Sequence, residues 1–145
     1  MQKALKLGSF FARSAISVKP TLATSKMTQL RHFSHGASVF DIDSVEDFTE
    51  KVIQSSVPVI VDFHAEWCGP CQALGPRLEE KVNGRQGSVL LAKINVDHAG
   101  ELAMDYGISA VPTVFAFKNG EKISGFSGVL DDEQLDDFIE DVLAA

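Results

Sequence analysis

Apolar and polar positions alternate with several different periods once the chain passes about residue 37. Ala37 to Ile42 (ASVFDI) fits a short edge strand. Val45, Phe48 and Val52 then fall on one helical stripe, and Ser44 with Asp47 three residues later gives a capping-box start. Val57 to Phe63 (VPVIVDF) is nearly continuous in apolar, β-branched residues, the signature of a strand covered on both faces. Cys71, Leu74, Leu78 and Val82 return to helical spacing, and Ser88 to Val96 (SVLLAKINV) predicts a second buried strand. Asp97 is placed to cap a short helix that runs through Tyr106 and ends at Gly107.

The last third has a different character. Thr113 to Lys118 and Glu121 to Phe126 flank Asn119-Gly120, the strongest short hairpin signal. Asp131 and Gln134 cap a final helix whose Leu135, Phe138, Ile139 and Val142 bury one side, with the acidic residues between Asp131 and Asp141 on the solvated side. The predicted order is β-α-β-α-β-α-β-β-α, an α/β domain with a mixed β-sheet flanked by helices, without repeats or low-complexity segments. No 18-residue apolar run is present, so no membrane span is expected.

Charge divides the chain where the pattern begins. Residues 1–40 hold six basic residues (Lys3, Lys6, Arg13, Lys19, Lys26, Arg31), six serines, three threonines and no acid. The remaining residues hold 7 basic and 20 acidic side chains, and the whole chain carries −7. Arg13 and Lys19 interrupt any run long enough for a secretory signal. Leu7, Phe11, Ala15 and Val18 share one helical face with Lys6 and Arg13 roughly opposite, as in a mitochondrial transit peptide. Arg31-His32-Phe33-Ser34 resembles a presequence cleavage site before Ser34, so residues 1–33 are expected to be a cleavable transit peptide, disordered or an amphipathic helix, and residues 37–145 the folded domain. A disordered basic tail for anionic surfaces, or a chloroplast address, are the alternatives. His32 and His35 in this segment are read as solvated rather than metal-bound. The acidic balance of the rest, without a basic patch, argues against nucleic acid as a partner.

Both cysteines of the chain lie in Trp67-Cys68-Gly69-Pro70-Cys71, between the first buried strand and the second helix. Residues i and i+3 of a helix share a face, so the sulfurs can bond. Cys68 falls at the helix N-terminus, where free N–H groups and the helix dipole favour a thiolate, the nucleophilic form. Pro70 fits the first turn because its missing N–H costs nothing there. Cys71, one turn deeper on the core-facing stripe, is expected to be the shielded thiol. A zinc site needs about four ligands and one CxxC supplies two, with His64 and His98 off finger spacing. A CxxC in a βαβ frame is read instead as a dithiol redox site.

Four further positions bear on that chemistry. Asp62 interrupts an apolar strand on the face of Ile60; burial raises the pKa of such a carboxyl, which suits it to proton exchange with a buried thiol. Lys93 interrupts the next strand and is a candidate neighbour, the bland alternative being a structural Asp–Lys pair. Pro112 opens a strand in Val111-Pro112-Thr113, with a trans bond as the default from sequence, and Gly128 lies between the hairpin and the last helix.

Together these residues resemble the thioredoxin family, and its mitochondrial members in particular. The likeness covers Trp67-Cys68-Gly69-Pro70-Cys71, Asp62 in Val-Asp-Phe, Pro76, Lys93, Val111-Pro112-Thr113, Phe117-Lys118-Asn119-Gly120 and Gly128, about residues 37–145. It implies the thioredoxin fold and a protein-disulfide reductase in which Cys68 attacks a client disulfide and Cys71 resolves the mixed disulfide. It further implies that Asp62 aids deprotonation of Cys71, through water and tuned by Lys93. Trp67, Gly69, Pro70, Val111, a cis Pro112 and Gly128 would form the groove for a client strand. Pro76 would kink its helix. No bound cofactor is implied, since electrons would come from NADPH through a thioredoxin reductase, and peroxiredoxins and other oxidised proteins are the expected clients of a monomer in the mitochondrial matrix. Gln72 stands where many relatives carry Lys. His64 stands where many bacterial relatives carry Trp, and titration near neutral pH would make the site pH-dependent. Two rivals share the fold: a redox-sensing binding module, and a disulfide oxidase or isomerase, the latter disfavoured by Gly69-Pro70.

Overall fold

The computed structural model describes residues 37–145. The presequence expectations for residues 1–33, with His32 and His35, lie outside the described residues. Five strands make one sheet: β1 (Val39–Asp41), β2 (Val59–His64), β3 (Leu90–Asn95), β4 (Thr113–Lys118) and β5 (Glu121–Ser127), in the order β1-β3-β2-β4-β5. β3 pairs in parallel with β1 and β2, whereas β4 runs antiparallel to both β2 and β5. The continuous apolar run was therefore a guide to position: β2 is the central strand, and Val59 to Phe63 are all buried.

The helices are α1 (Val45–Phe48), which continues through a π-helical turn at Thr49–Ile53, α2 (Gly69–Asn83), α3 (Gly100–Asp105) and α4 (Asp132–Ala144). Ser44 caps α1 by accepting the Asp47 N–H at 3.1 Å, while the Asp47 carboxylate faces Lys51 at 3.4 Å. The capping box of α4 is complete: Asp131 accepts the Gln134 N–H at 2.8 Å and Gln134 accepts the Asp131 N–H at 3.1 Å. Each such cap satisfies N–H groups that have no partner inside the helix.

Period-2 alternation divides the strands between two cores. Val61, Phe63, Ala92, Ile94 and Phe117 meet Phe48 and Val52, with Leu102 of α3, on one face. Ile60, Leu91, Val114 and Ala116 meet Leu74, Leu78 and Val82 of α2 and Leu135, Ile139 and Val142 of α4 on the other. The hairpin turn takes positive φ at Asn119 (53°) and Gly120 (80°), the conformation that makes Asn-Gly so favourable there.

One expectation needs correction. Asp97 does not cap α3; Ala99 holds that position without a side-chain hydrogen bond. The Asn95 carboxamide oxygen accepts the Asp97 N–H at 2.9 Å, forming a local turn that delays the helix to Gly100. The acidic side of α4 is solvent-exposed, as expected, and carries a ladder of ion pairs: Asp132 meets Arg77 at 2.7 Å, Asp136 meets Lys81 at 2.7 Å, and Arg85 bonds Glu140 at 2.9 Å. Spacing of four on both helices lines these rungs up.

Candidate active site

Cys68 is the N-cap of α2, with extended backbone at φ −89°, and its Sγ accepts the Cys71 N–H at 3.2 Å. Sulfur thus fills the role that a Ser or Asp oxygen plays at other helix starts. Gly69 and Pro70 occupy the first two helical positions, where an N–H has no intrahelical acceptor, so proline is tolerated. The two residues stand 5.3 Å apart at Cα and are joined by a disulfide. No other cysteine exists to compete for pairing.

Depth does not separate the two sulfurs. Cys68 is 4% exposed and Cys71 5%, against the expectation of an outer and an inner thiol. Ala65 clusters with the two cysteines in this disulfide form, and Val96 and Val111 pack against that cluster. What distinguishes them is position on the helix: Cys68 caps the N-terminus and faces its free N–H groups, while Cys71 lies inside the first turn.

A second loop closes over the bridge. The Val111–Pro112 peptide is cis, as the family resemblance implied and contrary to the default from sequence alone. Val111 packs against the cysteines, Pro112 is buried, and the Pro112 carbonyl accepts the Gly128 N–H at 2.9 Å. Gly128 has φ +87°, a conformation that costs glycine little. Thr113 fixes the loop by donating from Oγ1 to the Ala110 carbonyl at 2.6 Å. Trp67, 71% exposed, is nonetheless oriented, because its indole N–H donates to Asp97 Oδ2 at 2.9 Å. Trp67, Gly69 and Pro70 are exposed beside the bridge, and Val111 and Gly128 are half-buried. Gln72 reaches back to the Glu66 carbonyl at 3.0 Å. Pro76 lies inside α2, where it can give no hydrogen bond to the Gln72 carbonyl.

Asp62, on β2, is 1% exposed and its Oδ1 takes no hydrogen bond from the described residues. Loss of hydration pushes its carboxyl up to about 6, against an opposing pull from Lys93 and a smaller push from Glu79. Lys93 is in direct register with Asp62, but its partner is another residue: Nζ meets Glu79 Oε1 at 2.5 Å. Lys93 is the neighbour of Asp62 that the sequence suggested, but the alternative of a structural Asp–Lys pair is not what forms: Lys93 pairs with Glu79 and leaves Asp62 Oδ1 without a hydrogen bond. His64 is half-buried with Nε2 unpartnered among the described residues. Desolvation and the Lys93 charge hold its pKa below the usual histidine value, so its titration moves away from neutral pH.

Glu79 has no site role on the sequence alone, which offers Asp97 only as a helix cap rather than as the partner of Trp67. Glu79 had a signal, since Cys71, Gly75 and Glu79 recur every four residues on one face of α2. Asp97 had none beyond its place after a strand. Among the described residues no group of three or more His, Cys, Asp or Glu is placed to hold a metal ion, and no helix is long and apolar enough to cross a membrane.

The thioredoxin family profile matches residues 39–141. The mitochondrial thioredoxin of Mus musculus is 38% identical over 166 aligned positions, covering 99% of both chains. That of Bos taurus is 46% identical over 107 positions, 74% of this chain and 64% of the bovine one. Among solved structures, the Malassezia sympodialis thioredoxin (Mala s 13) superposes with a TM-score of 0.65 at 35% identity, covering 74% of this chain and 92% of that one.

Proposed function

The chain belongs to the thioredoxin family, shares its fold and is a thiol–disulfide oxidoreductase, and from that premise we propose that it reduces protein disulfides inside mitochondria by the following division of labour. In the dithiol form Cys68 is the thiolate, stabilised by the N-terminal N–H groups of α2. It attacks one sulfur of a client disulfide; the client's other sulfur leaves as a thiolate and takes a proton from solvent. Cys71 then gives its proton, through water, to the Asp62 carboxylate. The Cys71 thiolate attacks Cys68 in the mixed disulfide, the second client sulfur leaves as a thiolate and takes up the proton that Asp62 returns through water, and the Cys68–Cys71 bridge forms. Two electrons pass from the dithiol to the client. A thioredoxin reductase returns them from NADPH, so this chain needs no bound cofactor of its own.

An acid with a pKa of about 6 suits the proton step, being mostly ionised at neutral pH yet basic enough to accept. Lys93 tunes that acid. Trp67, Gly69, Pro70, Val111, Pro112 and Gly128 form the docking surface, a partly apolar rim around the bridge. Peroxiredoxins and other oxidised proteins are the clients. Residues 1–33 act as a cleavable transit peptide, supported by their acid-free basic composition and by mitochondrial relatives, and the matrix is the destination.

The single observation that carries the reductase mechanism is the CxxC bridge whose first sulfur caps α2. Its test is insulin reduction by the purified protein with NADPH and a thioredoxin reductase. Sustained turnover, lost in Cys68→Ser, is expected. Turnover that persists in Cys68→Ser would overturn the assignment, and a protein bound by clients but never recycled would select the sensing module instead. N-terminal sequencing after import into isolated mitochondria checks the presequence, with Ser34 expected as the first residue.

A further inference from the structure

Lys93 is surrounded by three carboxyl groups, and only one of them holds it. Sheet register sets Asp41 of β1, Lys93 of β3 and Asp62 of β2 in one row across neighbouring strands, all on the face that α2 covers. Glu79 approaches that row from α2, eight residues beyond Cys71 and on the same side of the helix. The ammonium of Lys93 lies 2.5 Å from Glu79 Oε1, whereas Asp62 Oδ1 is buried without a hydrogen bond.

We propose that Glu79 is a positioning residue of the redox site: by holding the Lys93 ammonium on the α2 side it keeps that charge from pairing with Asp62, whose carboxyl stays free to exchange a proton with the buried thiol. The proposal rests on the proton role given to Asp62 above. Its electrostatic sign is consistent, since Lys93 lowers the Asp62 pKa and Glu79 raises it. Without Glu79 the ammonium, on its flexible four-carbon stem, is free to turn to the unpaired acid in register with it.

The other groups facing Asp62 leave this assignment in place. His64, two residues along β2, is held below its usual pKa, and Asp41 is exposed at the sheet edge. Cys71 is a buried residue of α2, the helix that covers this face, and is the thiol to which the proposed function assigns the proton exchange. β4 and β5 contribute Val114 and Phe126 to the row, and α4 presents Leu135 and Ile139 to this core.

The test follows the Asp62 side-chain carboxyl by carbon NMR against pH, in the full chain labelled at aspartate and held in its disulfide form. Glu79→Gln should lower the titration midpoint by about 1 pH unit. Glu79→Asp, which keeps the charge on a shorter stem, should restore part of that shift. In a Lys93→Gln background the same Glu79→Gln change should move the midpoint by about half as much or less, because the held cation is gone. An unchanged or raised midpoint in Glu79→Gln overturns the proposal, as does an equal shift with and without Lys93. Glu79 is one-third exposed, so its replacement should leave the fold intact; a purely structural ion pair would change stability without moving the midpoint. The readout needs no turnover and is therefore separate from the proton step itself. If Asp62→Asn left the pH–rate profile unchanged, the proton step and the role of Glu79 in it would both be overturned, even with the titration shift observed.

Discussion

The two faces of the sheet are built from the same strands and solve opposite problems. On one, aromatic rings fill the space: Phe48 and Phe117 meet edge-on at 5.5 Å, Phe63 and Phe115 at 5.7 Å, and Tyr106 closes the group against Phe117 at 5.6 Å. On the other, aliphatic side chains of α2 and α4 cover Ile60, Leu91 and Val114, and the apolar run stops at Asp62 and Lys93. Along β2 the faces alternate residue by residue, with Val61 and Phe63 on the first and Ile60 and Asp62 on the second. A slip of one residue would put the acid among the rings. The comparison teaches where this domain tolerates a buried acid without a hydrogen bond: on the face that α2 and α4 cover, and, among the described residues, not in the aromatic core.

Removing a sulfur is the largest perturbation. Cys68→Ser should abolish insulin reduction and capture no client, whereas Cys71→Ser should accumulate mixed disulfides through Cys68, read by non-reducing electrophoresis. Equal capture by both variants would erase the distinction between the cap position and the first turn. On the aromatic face, Phe63→Ala should instead cost about 3–5 kcal/mol in a urea melt, the range for truncating a buried ring. The remaining folded protein should still form the Cys68–Cys71 bridge, since Phe63 makes no contact in the cysteine cluster. A loss under about 1 kcal/mol would mean that the rings are not the mechanical half of the domain.

Asp62→Asn tests the other half, with the opposite sign. The folded carboxyl binds its proton with a pKa of about 6 against 3.8 for the free group, so the native state holds more protons than the unfolded chain between those values. Stability contributed by Asp62 is therefore present below about pH 4 and lost as pH rises through about 6. At neutral pH the asparagine variant should be more stable, by up to about 3 kcal/mol, and the two proteins should converge below pH 4. Turnover should slow across pH 6–8. Urea melts at pH 4 and pH 7.5 check the first statement; a difference that did not grow with pH would show the acid to be paired after all.

Strong local chemistry was legible in the sequence. The Asp131–Gln134 cap and the Asn119–Gly120 turn follow from residue type and spacing, because neighbours a few residues apart supply the partners, and the burial of Val59–Phe63 on both faces follows from its nearly continuous apolar run. The CxxC at a strand–helix junction was legible for the same reason. Contacts between distant segments were not. Glu79 takes Lys93 from 14 residues away and Trp67 finds Asp97 across 30; spacing puts Glu79 on the Cys71 side of its helix but encodes neither partner. Nor could spacing show that Cys68 is as buried as Cys71, since Val96 and Val111, which pack against the cysteine cluster, come from two other segments of the chain.

The smallest expected effect lies between α2 and α4, where charge is plentiful and solvated. Lys81 and Asp136 meet at 2.7 Å with the lysine side chain 17% exposed and the aspartate 48% exposed, a geometry that resembles the Lys93–Glu79 pair in distance. It differs in having no buried acid beside it. Lys81→Gln should therefore cost under about 1 kcal/mol, and most of that should vanish in 1 M salt, where the screening length falls to about 3 Å. Urea melts at low and high salt measure both numbers. The same salt change should leave the Asp62 titration in the disulfide form nearly unmoved, because a carboxyl cut off from solvent is set by its lost hydration rather than by mobile ions. If salt moved both equally, the buried row would be no more sheltered than the surface ladder, and the distinction between a working charge and a decorative one would have to be drawn elsewhere.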